Sequence, residues 1–215
     1  MSFDTAFRSH SSYFGVEPDP LLTAYADQLD RERPVLDVGM GQGRNAFWLA
    51  ERGFSVDGIE PSIVAHEKVC ELVARNGLPI HAYPCTFEDF EAQADGYGGV
   101  LALGLLPILS RDGFVRLREK VEEWLIPGGL LLATAFTTDD AAYARISREW
   151  SKVGRSSFVD AQGNRRTYLE PGELPGLFPG FGIVHEREYL GPMHRHGDGP
   201  LHQHAVAEAV LRKPS

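Results

Sequence analysis

Val35-Leu36-Asp37-Val38-Gly39-Met40-Gly41-Gln42-Gly43-Arg44-Asn45 decides the fold. A short apolar run, interrupted by one acid, leads into three glycines at alternate positions. Ala46-Phe47-Trp48-Leu49-Ala50 follows with helical character. The pattern predicts a buried strand, a tight loop and a helix N-terminus. Glycine lets such a loop take positive φ and lets a ligand approach the backbone closely. An acid at a strand end near a core needs a partner or a ligand, because an unpaired buried carboxylate is costly. No Lys-Ser or Lys-Thr follows Gly43, so this is not the phosphate loop G-x-x-x-x-G-K-[ST]. Its spacing, G-x-G-x-G, is near the dinucleotide fingerprint G-x-G-x-x-G but different. Alone it also suits a strand-to-helix turn that holds nothing.

Working outward, the flanks continue the alternation. The helix from Asn45 to Glu51 ends at Gly53, and a second strand is predicted over Phe54 to Ile59. Ser62 is the N-cap of a helix to about Arg75, stopped by Asn76-Gly77. A third strand covers Ile80 to Tyr83, and Cys85 to Phe90 reads as a polar and aromatic loop. Val100 to Leu103 is a buried strand by its continuous apolar character. The amphipathic stretch Asp112 to Leu125 ends at Pro127-Gly128-Gly129, read as a helix stop and turn, before a buried strand over Leu130 to Phe136. Upstream, Asp19 or Pro20 opens a helix through Leu29, and Tyr13-Phe14 sit in a loop, exposed or facing a ligand. Strand–helix repeats imply a parallel sheet covered on both faces.

The last third differs. It reads as a surface helix over Asp139 to Val153, a turn at Asp160 to Asn164, the basic pair Arg165-Arg166 and a short helix opening at Glu170-Pro171-Gly172-Glu173-Leu174. Two strands, Gly182 to Tyr189 and His204 to Leu211, close the chain. No internal repeat or low-complexity region stands out.

Length suits one domain with a substantial core. A net charge of -9, with no Lys/Arg-rich block, argues against a nucleic-acid phosphate footprint. Cys70 and Cys85 form no Cys-x-x-Cys pair and read as reduced thiols of a cytoplasmic protein. The start lacks a basic stretch followed by an apolar one, so no signal peptide is predicted. The most apolar run, Val100 to Leu109, is broken by Gly104 and Pro107 and is too short to span a bilayer.

Glu60 follows the second strand at the offset where a carboxylate accepts from both ribose hydroxyls of a nucleotide. By itself it reads as a solvated strand-end acid. Combined with the glycine loop and with Thr86-Phe87 after the third strand, it suits an adenosine ligand.

At this point Leu36-Asp37-Val38-Gly39-Met40-Gly41-Gln42-Gly43, Glu60 and Ile126-Pro127-Gly128-Gly129 resemble the class I S-adenosylmethionine-dependent methyltransferases. The resemblance covers roughly Val35 to Lys213. It implies an α/β fold: a doubly wound, mostly parallel seven-stranded sheet with helices on both faces and a C-terminal antiparallel hairpin. It implies S-adenosylmethionine as cofactor and S-adenosylhomocysteine as product. The cofactor-binding residues would be Asp37, Gly39, Met40, Gly41, Gly43, Asn45, Glu60 and Pro61, then Thr86 and Phe87 beside adenine, and Leu103. An Asp common in the adenine loop is missing; Cys85 or Thr86 stands near its place, and Glu88 and Asp89 lie later.

A narrower resemblance follows. Gly41-Gln42-Gly43-Arg44-Asn45, then Trp48-Leu49-Ala50 and Gly53-Phe54-Ser55-Val56, is similar to the tellurite-resistance methyltransferases, and Gly191-Pro192-Met193-His194-Arg195 resembles their Gly-Glu-Leu-His-Arg. That implies an oxyanion or related chalcogen acceptor near the His-Arg pair. A further Arg expected in the following strand is not evident, and His202 lies near its place.

His194 to His204 holds two His-x-His pairs around Gly197-Asp198-Gly199-Pro200, which reads as a hairpin. Residues i and i+2 of a strand face the same way. In the resembled fold its tip lies at the carboxyl edge of the sheet, where open α/β sheets bind ligands. Three readings stand. The imidazoles and Arg195 bind an anionic acceptor or remove its proton, they bind a metal, or they are merely exposed. His194, Arg195 and His196 are the catalytic candidates, and no residue is assigned as a metal ligand. His66, His81 and His185 read as structural.

The expectation is a single domain over 1–215, with a cap segment over 1–33, a cofactor-binding core over 34–136 and an acceptor-side segment over 137–215. It would transfer a methyl group to a small-molecule acceptor, a chalcogen oxyanion or thiol-like nucleophile. Alternatives are a nicotinamide-dependent oxidoreductase or a non-catalytic metal- or adenosine-binding module. Neither nucleic acid nor membrane is an expected partner. A homodimer is compatible with the sequence, although no apolar stripe stands out as an interface.

Overall fold

The computed structural model describes residues 3–215. In chain order the strands are β1 (Val35–Val38), β2 (Val56–Ile59), β3 (Ile80–Tyr83), β4 (Tyr97–Ala102), β5 (Leu125–Phe136), β6 (Ser151–Gly154), β7 (Ser157–Val159), β8 (Arg165–Thr167), β9 (Gly182–Leu190) and β10 (Ala205–Arg212). The helices are α1 (Phe3–Ser9), α2 (Pro20–Tyr25), α3 (Arg44–Ala50), α4 (Ile63–Asn76), α5 (Arg111–Trp124), α6 (Tyr143–Glu149) and α7 (Glu173–Gly176). Seven strands form one sheet in the order β3-β2-β1-β4-β5-β10-β9. β1 to β5 run parallel, and β10 lies antiparallel between β5 and β9. The expected seven-stranded architecture with its closing antiparallel pair is therefore present.

The inner strands are apolar on both faces because both faces are covered. Leu36, Val38, Val100, Ala102, Leu131 and Ala133 join the core on one side, together with Phe114 and Trp124 of α5. Val35, Leu101, Leu103, Leu130 and Leu132 alternate onto the other, against Leu21, Leu22, Leu49 and Val69. Helix starts are fixed by side-chain caps: Asp19 accepts from Leu21 N, Ser62 from Ala65 N and Ser110 from Gly113 N.

Two expectations need correction. The helix predicted over Asp139 to Val153 shrinks to α6, and Ser151–Gly154 instead opens a separate sheet, β6-β7-β8. That sheet forms by pairing with Ser157–Val159 and Arg165–Thr167, so its backbone bonds are satisfied by residues outside the helical window. Pro127-Gly128-Gly129 is not a turn separate from the strand but lies within β5. Gly128 has φ of 80°, and the C-terminal tail holds this stretch, with Gly128 N donating to Lys213 O and Lys213 N to Gly129 O. The outer strand β9 is mostly exposed and carries Glu186-Arg187-Glu188.

Candidate functional site

The loop after β1 holds positive φ at Gly39 (73°), Gly41 (56°) and Gly43 (85°). A Cβ on Gly43 would lie 2.8 Å from the Phe47 ring, and one on Gly39 would lie 3.3 Å from Leu105. Backbone conformation and space both require glycine here. The loop then turns into α3, and its amides face the end of β2.

Glu60 sits at that end. Its Oε2 accepts from Gly41 N at 2.9 Å and its Oε1 from Ser62 N at 2.8 Å. Burial pushes its carboxyl pKa up, and these two bonds oppose the shift. Asp37 is 2% exposed, and its Oδ2 has no hydrogen-bond partner among the described residues. Burial pushes its pKa up to about 7, against the attraction of Arg44. A buried carboxylate oxygen without a partner is a destabilising feature that a ligand cation can relieve.

A cavity of about 570 Å³ opens at this edge of the sheet, within the range of about 300–1,000 Å³ usual for small-molecule sites. Gly39, Met40, Gly41, Asn45, Glu60 and Pro61 line one side of it, and Leu103 lines it from the end of β4. Glu17, Glu51 and Glu60 outnumber Arg44 among its charged lining residues, so it favours a cationic ligand. Phe3, Phe7 and Phe14 of the N-terminal segment wall the cavity, with Phe3 and Phe7 stacked at 5.7 Å.

The glycine loop itself fastens that segment. Gln42 Nε2 donates to His10 O at 2.8 Å, and its Oε1 accepts from Tyr13 N at 2.7 Å. Asn45 Oδ1 accepts from Asp19 N at 2.9 Å, and Arg44 pairs with Asp19 at 3.7 Å. Gln42 was missed from sequence; the available signal was a long polar side chain set between two glycines.

Not every expected residue reaches the cavity. Gly43 shapes the loop without lining the space, and Asp37 lies in the core. Thr86 and Phe87, expected beside adenine, are not brought there. Phe87 is buried in the core cluster that holds Val38, Ile59 and Phe90. Thr86 Oγ1 donates to Asp89 Oδ2 at 2.7 Å and closes a local turn. The loop satisfies itself, and its aromatic serves packing.

The hairpin places a second polar group beside the first. His194 N donates to His202 O and His202 N to His194 O, both at 2.8 Å. Their rings stand 4.4 Å apart, and His196 lies 4.9 Å from His194 and 4.8 Å from His202. His204 joins them at 4.9 Å from His202, with its Nδ1 2.7 Å from Asp140 Oδ2. Burial lowers the His204 pKa despite that carboxylate, while Asp140 is held below its ordinary value by the bond from His204 in spite of its own burial. His196 is held down at about 3, by burial first and by its three histidine neighbours next. Both causes disfavour the protonated His196 that anion binding would use. Arg195 is exposed and does not join the cluster.

The hairpin does not line the cavity but leans on its wall. The His196 ring lies 4.9 Å from Phe14, and Gly197 N donates to Tyr13 O at 3.0 Å. The isolated histidines are structural: His66 contacts Ala82 O, His81 meets Asp57, and His185 meets Glu208. Arg165 donates to Ser157 Oγ, and Arg166 lies over the Phe136 ring.

Residues 35–129 match a sequence family described as a methyltransferase domain. An uncharacterized methyltransferase of Bacillus subtilis (strain 168), YodH, is 28% identical over 104 residues, spanning 47% of this chain and 42% of that protein. The match thus spans less than half of the curated relative. Burkholderia thailandensis 1,6-didemethyltoxoflavin-N1-methyltransferase, solved with 1,6-didemethyltoxoflavin and S-adenosylhomocysteine, superposes with a TM-score of 0.68 at 18% identity. The superposition covers 99% of this chain and 88% of that one. TehB from Haemophilus influenzae gives a TM-score of 0.66 at 18% identity, covering 90% of this chain and 61% of that one. No helix among the described residues is long and apolar enough to cross a membrane. Residues 35–129, just under half of the chain, thus match a methyltransferase-domain family, and the fold is that of the class I S-adenosylmethionine-dependent methyltransferases.

Proposed function

We propose that the protein transfers a methyl group from S-adenosylmethionine to a small-molecule acceptor. The observation that carries this reading is the buried Glu60 carboxylate, bonded to the glycine loop at Gly41 N, on the wall of an acidic cavity. The donor set suits this cofactor, which is cationic at sulfur and amine and carries a ribose diol.

When bound, S-adenosylmethionine supplies an activated methyl group on its sulfonium. Glu60 has lone pairs left to accept from the ribose hydroxyls. Gly39 and Gly41 let the methionyl part approach the backbone, with Met40, Asn45, Pro61 and Leu103 completing that side. Asp37 adds negative charge behind the loop. Phe7 and Phe14 exclude water, and residues 3–33 act as a cap over the core. Alignment of donor and acceptor can lower the barrier by several kcal/mol, up to ~7–11 in favourable cases.

For the acceptor we infer a soft nucleophile, a chalcogen oxyanion or thiol-like species. The Gly-Arg-Asn run and the His194-bearing hairpin support this, and such a nucleophile needs no general base. The test is incubation with labelled S-adenosylmethionine and a panel of tellurite, selenite, thiols and small heterocycles, assaying product in solution and headspace. Labelled methyl on a panel member is the expected result. No calorimetric binding of S-adenosylmethionine would overturn the reading.

A further inference from the structure

The hairpin is a short tandem repeat. Gly191-Pro192-Met193-His194-Arg195-His196 and Gly199-Pro200-Leu201-His202-Gln203-His204 share the pattern Gly-Pro-x-His-x-His, so the sequence does contain an internal repeat. Pairing of His194 with His202 sets the two copies antiparallel and puts both imidazoles on one face. His196 and His204 stand two residues away on the same face, one toward the tip and one toward the base.

The repeat also fixes the tautomers. His194 Nδ1 lies 2.9 Å from Pro192 O, and His202 Nδ1 lies 2.9 Å from Pro200 O. A carbonyl oxygen only accepts, so each Nδ1 carries the proton and each Nε2 keeps its lone pair. Ring N–H bonded to a carbonyl, with the other nitrogen bare, is the supporting arrangement found around metal-ligating histidines. The same holds for His204, whose Nδ1 is turned to Asp140. The repeated proline keeps φ of the carbonyl-bearing residue fixed.

We propose that His194, His196 and His202 hold one late first-row divalent cation of the zinc or nickel kind. One ring nitrogen from each lies within 4.8 Å of the others. Nitrogens bound to one tetrahedral zinc ion stand about 3.4 Å apart, at about 2.0–2.1 Å per bond, so loading draws the rings together by at most about 1.4 Å through side-chain rotation. Three imidazoles with neither thiolate nor carboxylate select zinc, nickel, cobalt or copper over magnesium or calcium, which take oxygen ligands. Three protein ligands leave a coordination position for water or an anionic or soft ligand. The ion would sit on the far side of Phe14 from the cavity and tie the hairpin to the cavity wall. The site does not rest on methyl transfer: it can be loaded and read with no cofactor present.

The test uses the full chain purified without an affinity tag and stripped with a chelator. Titration with zinc, followed by calorimetry and elemental analysis, is expected to give one ion per chain at micromolar or tighter Kd, with no uptake of magnesium. Cobalt is expected to give a visible ligand-field band. His194→Gln, His196→Gln and His202→Gln are each expected to weaken zinc binding at least about tenfold, while His81→Gln leaves it unchanged. Circular dichroism of the metal-free variants checks their fold. In the unaltered chain, zinc is expected to protect these three histidines from diethyl pyrocarbonate, read by mass spectrometry. Zinc binding weaker than about 100 μM, equal affinity in the triple variant, or absence of that protection would overturn the proposal.

Discussion

Between Gly39 and Glu60 the polar groups are backbone amides aimed by glycine; between Gly191 and His204 they are imidazoles aimed by strand pairing. In the first region Gly41 N donates to a single buried carboxylate, Glu60, and the shape is set by positive φ at three positions. The second depends on the His194–His202 register and on Asp140, which arrives from the loop after β5. Backbone-built sites tolerate side-chain change at their x positions, whereas the hairpin concentrates its chemistry in four rings. This contrast separates a region suited to hold a common cofactor from one that leans on the wall of its cavity.

The largest expected effect falls on the first region. Glu60→Ala removes the acceptor of two amides and of the ribose, and should weaken S-adenosylmethionine binding about 100-fold, or about 2.7 kcal/mol, by calorimetry. Unchanged affinity would erase the contrast. Next, His194→Ala, which removes the ring packed on His196 behind the Phe14 wall, should lower turnover on the true acceptor severalfold while cofactor affinity stays within twofold. Loss of cofactor binding in that variant would merge the two regions.

Asp37 sharpens the comparison through pH. Its folded pKa, raised to about 7, means that the native chain binds a proton the unfolded chain has released. Its contribution to stability is therefore largest in acid and falls as pH rises from about 4 to about 7. Asp37→Asn should raise the melting temperature at pH 8 and leave it little changed near pH 4. A cationic cofactor favours the ionised form, so affinity should increase severalfold between pH 6 and pH 8, and Asp37→Asn should flatten that profile. A parallel slope in the variant would assign the titration elsewhere. The smallest effect concerns the clasp: Gln42→Ala should weaken cofactor binding a few-fold and speed proteolysis within 3–18, as seen by limited digestion.

Legibility followed the same division. β1, β3, the cap at Ser62 and a helix start at Asp19 or Pro20 were read directly because apolar runs, glycines and capping residues act locally. Asp37 and Glu60 stood out as acids where strands end. The β6-β7-β8 sheet was not legible, since Ser151–Gly154 becomes a strand only through a partner downstream. Phe87 misled because an aromatic after a strand suits a ring-stacking role or a core role equally, and packing took it. The clustering of four histidines needed the register, though the Gly-Pro-x-His-x-His repetition was already in the letters.

The outer position of β9 bears on whether copies can join edge to edge. A nine-residue strand at the rim of a sheet offers a template onto which another chain could add. Here that rim carries Glu186, Arg187 and Glu188 in succession, and the ladder behind it is interrupted between Val210 and Leu211. Charge and irregular pairing together discourage fibrous joining of copies through their sheets, so replacing these three residues with valine should increase aggregation, read by light scattering.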